Sequence, residues 1–315
     1  MSQYTPPYTI TTKILKLSTL ISEELTKLQL HSGAKPKPML RKKNRIKTLA
    51  GTLEIEGNFI GVEKITALLD GKKVLGTAKE LAEVRGAIQA YEKLEEYRFD
   101  VLDDLLYAHK ILVGEILQEA GSFRTANVKV AEHIAPPSHR VHELMGDLFA
   151  WLKNSDEHPL LKSCVFHYEF EFIHPFVDGN GRIGRLWQSV ILSSYNPIFS
   201  LLPTESIVRD YQEEYYSAIE NSTKLGESTP FVEFMLEMLL KSIEETLQSD
   251  QESNQKSDQK ILSLMSENNK ITIKELMEIL SMSESGIKKV IKKLKEQKSL
   301  KRVGSLKSGY WEVKR

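Results

Sequence analysis

The sequence predicts a mainly α-helical protein with one short β-hairpin on its helical body and a small, separate C-terminal module. Apolar residues recur at helical spacing along most of the first 247 positions, as at Phe231, Phe234, Met235, Met238, Leu239 and Ile243. One stretch, Asn127 to Ser138, breaks that period: Val128 and Val130 flank Lys129, and the run meets Pro136-Pro137. A polar run from Gln248 to Gln259 then offers no apolar side chain to bury. At 315 residues the chain is long enough for more than one folding unit.

Taken in order, residues 1–95 read as an N-terminal helical region. Leu102, Leu105, Leu106, Leu112 and Val113 form a stripe, as do Leu144, Leu148, Trp151 and Leu152. Ser228-Thr229-Pro230 supplies a cap and first turn for the helix that carries the Phe231 stripe. The polar run 248–259 is expected to be a solvated linker.

Net charge is zero, but from Gln259 to Arg315 there are 14 Lys+Arg against 6 Asp+Glu, a net +8 that leaves −8 on the rest. The single Cys164 excludes an intramolecular disulfide and a multi-cysteine zinc site, which points to a reducing, cytoplasmic setting. The first residues lack a basic start followed by an apolar core, and no run of 18 apolar residues occurs, so neither secretion nor membrane spanning is expected.

Chemistry concentrates at residues 174–185, HPFVDGNGRIGR, between two helix-compatible runs. Gly179-Asn180-Gly181 permits positive φ, so that successive backbone N–H groups converge at a helix start, where phosphate is favoured. Arg182 and Arg185, three apart, suit a polyphosphate clamp. Asp178 is a hard oxygen ligand of the kind Mg²⁺ uses alongside substrate phosphates. His174 can be neutral near pH 7, as a general base must be.

This segment resembles the Fic signature, His-x-Phe-x-Asp/Glu-Gly-Asn-Gly-Arg-x-x-Arg, at every defined position. The resemblance implies a helical Fic core with a β-hairpin flap, and an enzyme that moves AMP from ATP to a protein hydroxyl. His174 would be the catalytic base, and Asp178 would hold Mg²⁺. Gly179, Asn180, Gly181, Arg182, Ile183, Gly184 and Arg185 would bind ATP, and Phe176 would point into the core. The phosphorylating branch of the family carries Lys where this chain has Gly181, which favours AMP transfer.

Thr52-Leu53-Glu54-Ile55-Glu56-Gly57 is similar to the family's inhibitory motif, Ser/Thr-x-x-x-Glu-Gly/Asn, so Thr52, Glu56 and Gly57 are expected at the site with Glu56 on Arg185. An alternative role for Glu56 is to orient a water that removes AMP from the target. The hairpin resembles the flap that pairs with the target segment, with Val130, Ala131, Glu132 and His133 near nucleotide and target. Tyr215 and Tyr216 match a tyrosine pair that borders adenine in relatives, whereas His109, His142 and His167 read as structural.

The tail from Lys260 resembles a winged helix-turn-helix. It reads as a short strand at Ile271, a helix from Lys274 to Leu280, the turn Ser281-Met282-Ser283, a Lys-rich helix from Glu284 capped by Ser283, and two wing strands around 301–304 and 308–313. Phosphate contact with DNA and contact with protein are both open, because the Lys-rich helix offers no Arg, Asn or Gln before Gln297, the residue types best suited to reading bases. The expected domains are therefore 1–95, the core 96–247, the linker 248–259 and the winged helix 260–315. The rival to a self-inhibited adenylyltransferase is a DNA-binding regulator with a nucleotide-sensing core, and a homodimer is left open.

Overall fold

The computed structural model describes residues 4–32, 38–130, 133–280, 282–305 and 309–314. Thirteen α-helices and four short strands are formed among them, grouped in two compact units, Met1–Thr246 and Leu247–Arg315. No described helix is long and apolar enough to cross a membrane.

The first unit holds α1 (Thr12–Ser32), α2 (Pro38–Ile55), α3 (Val62–Leu69), α4 (Ala78–Glu92) and α5 (Leu102–Val113). Strands β1 (Lys129–Val130) and β2 (His133–Ile134) follow, then α6 (Val141–Asn154), α7 (Pro159–Ile173), α8 (Asn180–Tyr195), α9 (Thr204–Asp210), α10 (Gln212–Leu225) and the start of α11 (Thr229–Glu267). Helices α7 and α8 run through the centre: Phe166, Phe170, Ile183, Leu186 and Trp187 are all fully buried. The α11 stripe is likewise in the core, with Phe231, Met235 and Leu239 buried. The Ser228 carbonyl accepts the first helical bond of α11 from Val232 N at 2.9 Å.

Close backbone approach decides where α2 lies. A Cβ on Gly51 would stand 2.5 Å from Glu205 C and Ser206 N of α9, so only glycine admits this contact. Asn44, buried on the same helix, donates from Nδ2 to Leu201 O at 2.9 Å and to Thr246 Oγ1 at 3.3 Å.

The hairpin is antiparallel, with Lys129 opposite Ile134 and Val130 opposite His133. Ala131 and Glu132, which the sequence reading expects near nucleotide and target, lie outside the described residues, as do Ser281 and Ser308.

The second unit contains α12 (Ile273–Leu280), α13 (Glu284–Glu296), β3 (Leu300–Val303) and β4 (Tyr310–Val313). The strands pair antiparallel, from Leu300 opposite Val313 to Val303 opposite Tyr310. Ile261, Met265, Ile271, Leu276, Ile287, Ile291, Leu294 and Leu300 form its core. Ser283 Oγ caps α13 by accepting from Gly286 N at 3.2 Å.

Two expectations are corrected. The run 248–259, expected as a solvated linker, is helical, because α11 continues through it to Glu267. Its Gln, Glu and Lys residues are good helix formers, and a helix that is polar all round suits a connection between units. No strand forms at Ile271. Thr272 instead starts a capping box with Glu275, whose carboxylate accepts from Thr272 N at 2.7 Å while Glu275 N donates to Thr272 Oγ1 at 3.2 Å.

Gly51→Ala is expected to destabilise the protein by about 1–3 kcal/mol, because the methyl meets backbone that cannot rotate away. A melting temperature equal to that of the parent would contradict this packing.

Candidate functional site

Residues 174–185 form the corner between α7 and α8. Helix α7 ends when His174 adopts a left-handed conformation, φ 50° and ψ 60°, while its N–H still bonds Phe170 O at 2.9 Å. A non-glycine residue pays strain on the order of 1 kcal/mol there, so other contacts must impose the turn. Asn180 is one source: its Oδ1 accepts from Phe176 N and its Nδ2 donates to Phe176 O, both at 2.9 Å. Gly179, at φ 84°, reverses the chain into the first turn of α8, whose leading amides have no partners within the helix. Phe176 points into the core, as the signature implies.

Two residues that the sequence reading left without a functional part also hold this corner. Buried Arg124 donates from Nε to His174 O at 2.8 Å, from Nη2 to Ile173 O at 3.3 Å and from Nη1 to Ala126 O at 2.9 Å. Its Nη2 also reaches Pro136 O, so one guanidinium ties the His174 turn to both ends of the hairpin segment. His109 accepts from Gly121 N on Nδ1 at 2.9 Å, which assigns the ring proton to Nε2; that atom donates to Asp178 O at 2.9 Å. Its ring stacks on Phe176 with centroids 3.6 Å apart. Burial pushes the His109 pKa down to about 4. The structural reading of His109 therefore holds, and what it structures is the site loop.

Both signature arginines are buried and already paired. Arg185 donates from Nη2 to Glu56 Oε1 at 2.7 Å and to Thr52 O at 3.2 Å, and from Nε to Thr52 Oγ1 at 3.2 Å. Burial works against its charge, but Glu56, together with Tyr215 and Tyr91, offsets this and the pKa is raised. Glu56 is the first residue beyond α2, where Gly57 takes φ 83° and turns the chain away. The contact also explains Gly181: a Cβ there would lie 2.5 Å from Glu56 Oε1 and 3.0 Å from Arg185 Nη1.

Arg182 donates from Nη2 to Asp178 Oδ1 at 3.0 Å and pairs through Nη1 with Glu83 Oε1 at 3.4 Å. Glu83 Oε2 in turn accepts from Asn58 Nδ2 at 2.8 Å, so the segment just after Glu56 also reaches Arg182. Glu83 was missed in the sequence, since an acid in the middle of an amphipathic helix carries no motif.

Asp178 keeps a side chain that is 52% exposed, with Oδ1 accepting from Gly179 N at 2.6 Å. No three His, Cys, Asp or Glu side chains cluster as a metal site among the described residues. A half-exposed carboxylate of this kind is the hard oxygen donor that Mg²⁺ takes from a protein beside substrate phosphates.

The tyrosine pair is split. Tyr215 is buried and bonded through its OH to His167 Nε2 at 3.1 Å, whereas Tyr216 is about half exposed, at 49%. The two rings still pack against each other, with centroids 5.4 Å apart.

Residues 98–192 match the Fic/DOC family profile, and residues 255–297 match a winged helix-turn-helix DNA-binding profile. The crystal structure of a Fic family protein from Desulfovibrio desulfuricans G20 superposes with a TM-score of 0.76 and 37% identity, covering 99% of this chain and 98% of that one. A fragment of Fic-1 from C. elegans, 23% identical, shares the fold at a TM-score of 0.63 over 76% of this chain and 72% of the fragment. Protein adenylyltransferase fic-1 of Caenorhabditis briggsae is 30% identical over 198 residues, which are 58% of this chain and 38% of that protein. The chain therefore spans well under half the length of that curated relative.

The His109 bonds predict a pH dependence. A histidine whose pKa falls from about 6.5 unfolded to about 4 folded favours the native state fully above the unfolded value, and loses that contribution as pH drops toward 4. Chemical denaturation should show His109→Gln less stable than the parent at pH 7 by about 2–3 kcal/mol, with the gap closing between pH 6.5 and 4. A gap that stays constant over this window would overturn the assignment of a neutral ring.

Proposed function

Since the chain belongs to the Fic/DOC family and carries a C-terminal winged helix-turn-helix, we propose that it is a protein adenylyltransferase, held inactive by Glu56. The carrying observation is that the α7–α8 corner carries His174, Asp178, Arg182 and Arg185, with Arg182 on Asp178 and Glu56 on the Arg185 guanidinium.

In this reading His174 takes the proton of a target Ser, Thr or Tyr hydroxyl as its oxygen attacks the α-phosphorus of ATP, and pyrophosphate departs in line. The glycine-loop amides and Arg182 and Arg185 hold the triphosphate, so catalysis is positioning plus charge neutralisation. Mg²⁺ held by Asp178 would supply further neutralisation of the phosphates. The hairpin offers edge strands to which an extended target segment can add, and Arg124 fixes that hairpin relative to the His174 turn. Tyr216 is the member of the tyrosine pair left to meet a nucleobase. The catalytic core is assigned to residues 96–247, with 1–95 carrying the inhibitory motif, and the cytoplasm is the proposed compartment.

The brake is electrostatic competition. A γ-phosphate needs the fork of Arg185, and Glu56 both fills it and places negative charge beside the phosphate position. Glu56→Gly is expected to raise self-labelling from α-phosphate-labelled ATP with Mg²⁺ by about 10- to 100-fold, the worth of one charged hydrogen bond. His174→Ala in that background should lower it by about 10²–10⁴-fold. Label lost from a modified target on adding wild-type protein, and not on adding Glu56→Gly, would favour AMP removal as the role of Glu56.

The second unit supports contact with an anionic polymer. Lys270, Lys288, Lys292, Lys295 and Arg302 line one groove with Trp311, whose ring lies 5.3 Å from Lys295 Nζ and 4.7 Å from the Arg302 guanidinium. Random duplex DNA should shift with the protein at low salt and be released between 50 and about 200 mM salt. If DNA binds while neither Glu56→Gly nor wild type takes up label, the regulator reading replaces the enzyme.

A further inference from the structure

Glu171 has no part in the signature, yet it lies against the residue proposed as the base. It is one helical turn before His174 on α7, with Oε2 4.0 Å from His174 Nδ1 and a side chain about nine-tenths buried. Its Oε1 has no hydrogen-bond partner, a costly state for a buried oxygen. Space for the carboxyl comes from Gly184 on α8: a Cβ there would stand 2.8 Å from Glu171 Oε1. One of the two unspecified positions of Arg-x-x-Arg is thus glycine because an acid from α7 lies beneath it.

We propose that Glu171 is the positioning residue of His174, its carboxylate, 4.0 Å from Nδ1, favouring the proton on that nitrogen by its charge and so leaving Nε2 as the basic nitrogen. The inference rests on the AMP-transfer reading. In the reaction the hydroxyl proton moves to Nε2 as the oxygen bonds to phosphorus and the bond to pyrophosphate breaks. The imidazolium so formed lies beside the Glu171 carboxylate, which shares its charge. The arrangement has the logic of a base oriented by a third group.

The groups facing Glu171 set when it is charged. Burial pushes it up to about 8, Arg185 draws it down and Glu56 pushes it up. His167 Nε2, itself kept neutral by burial, lies 3.8 Å from Oε1, and the Tyr215 hydroxyl is in the same buried network. A protonated Glu171 carries no charge to favour a proton on Nδ1, so the tautomer that leaves Nε2 basic loses its support. Removing Glu56 therefore acts twice: it frees Arg185, and it lets the Arg185 charge favour ionised Glu171.

The test uses full-length Glu56→Gly protein, with and without Glu171→Gln, which keeps side-chain volume. Nitrogen-15 NMR of labelled histidine, with His174 assigned by His174→Ala, should show His174 titrating in two coupled steps in the parent and in a single step in Glu171→Gln. At pH 8.5 the Gln variant should lose about 10- to 100-fold in kcat with the KM for ATP nearly unchanged, and lose the rise of rate with pH that Glu171 ionisation supplies. Glu171→Asp, which keeps the charge but withdraws it, should fall between. One unchanged His174 step in both proteins overturns the inference even if AMP transfer is observed. Failure of Glu56→Gly to transfer AMP would sink the proposed activity, while the titration still decides whether Glu171 governs His174.

Discussion

Arg185 is a full charge buried at the centre of the helical unit, and a buried guanidinium needs an anionic partner. Glu56 and Thr52 provide one through the end of α2, which obliges that helix to pack close against α8 and α9. Two glycines follow from the same demand. Gly51 lets α2 touch the backbone of α9, and Gly181 leaves room for the Glu56 carboxylate over the first turn of α8. On the proposed reading, the bond that stabilises this structure is also the one a triphosphate would have to replace.

The rest of the site depends on backbone held by side chains distant in sequence. The strained left-handed turn at His174 persists because Arg124 gathers the carbonyls around it and Asn180 closes the loop on Phe176. His109 performs the same service for the Asp178 carbonyl. These groups are buried and satisfied, which makes the corner rigid and places His174, Asp178 and the arginines before any ligand arrives. On the proposed reading, preorganisation of this kind is what nucleotidyl transfer needs from a protein.

Helix α11 shows how a correct reading of composition can miss conformation. The absence of apolar residues between Gln248 and Gln259 marks a change of unit, and the contacts divide the chain at Leu247. Yet polar residues with good helix propensity extend a helix already nucleated by the buried Phe231 stripe, because propagation adds a hydrogen bond for each residue fixed. At Ile271 the local competitor was the Thr272–Glu275 capping box, which begins α12 where a strand was expected.

By itself the sequence determined the helical class, the hairpin, the two-strand wing and the residues of the 174–185 corner, because each is written locally, in periodicity or in a contiguous motif. It also carried the pairing of Glu56 with Arg185 through resemblance to a second short motif. Only the tertiary structure decided that Arg124 ties the hairpin to the His174 turn, that Glu83 pairs with Arg182, that Glu171 lies beside His174, and that Tyr215 is core while Tyr216 is exposed. These are lone polar residues within ordinary helix patterns. Their effect comes from burial and from partners brought together by packing, a property that no local spacing records.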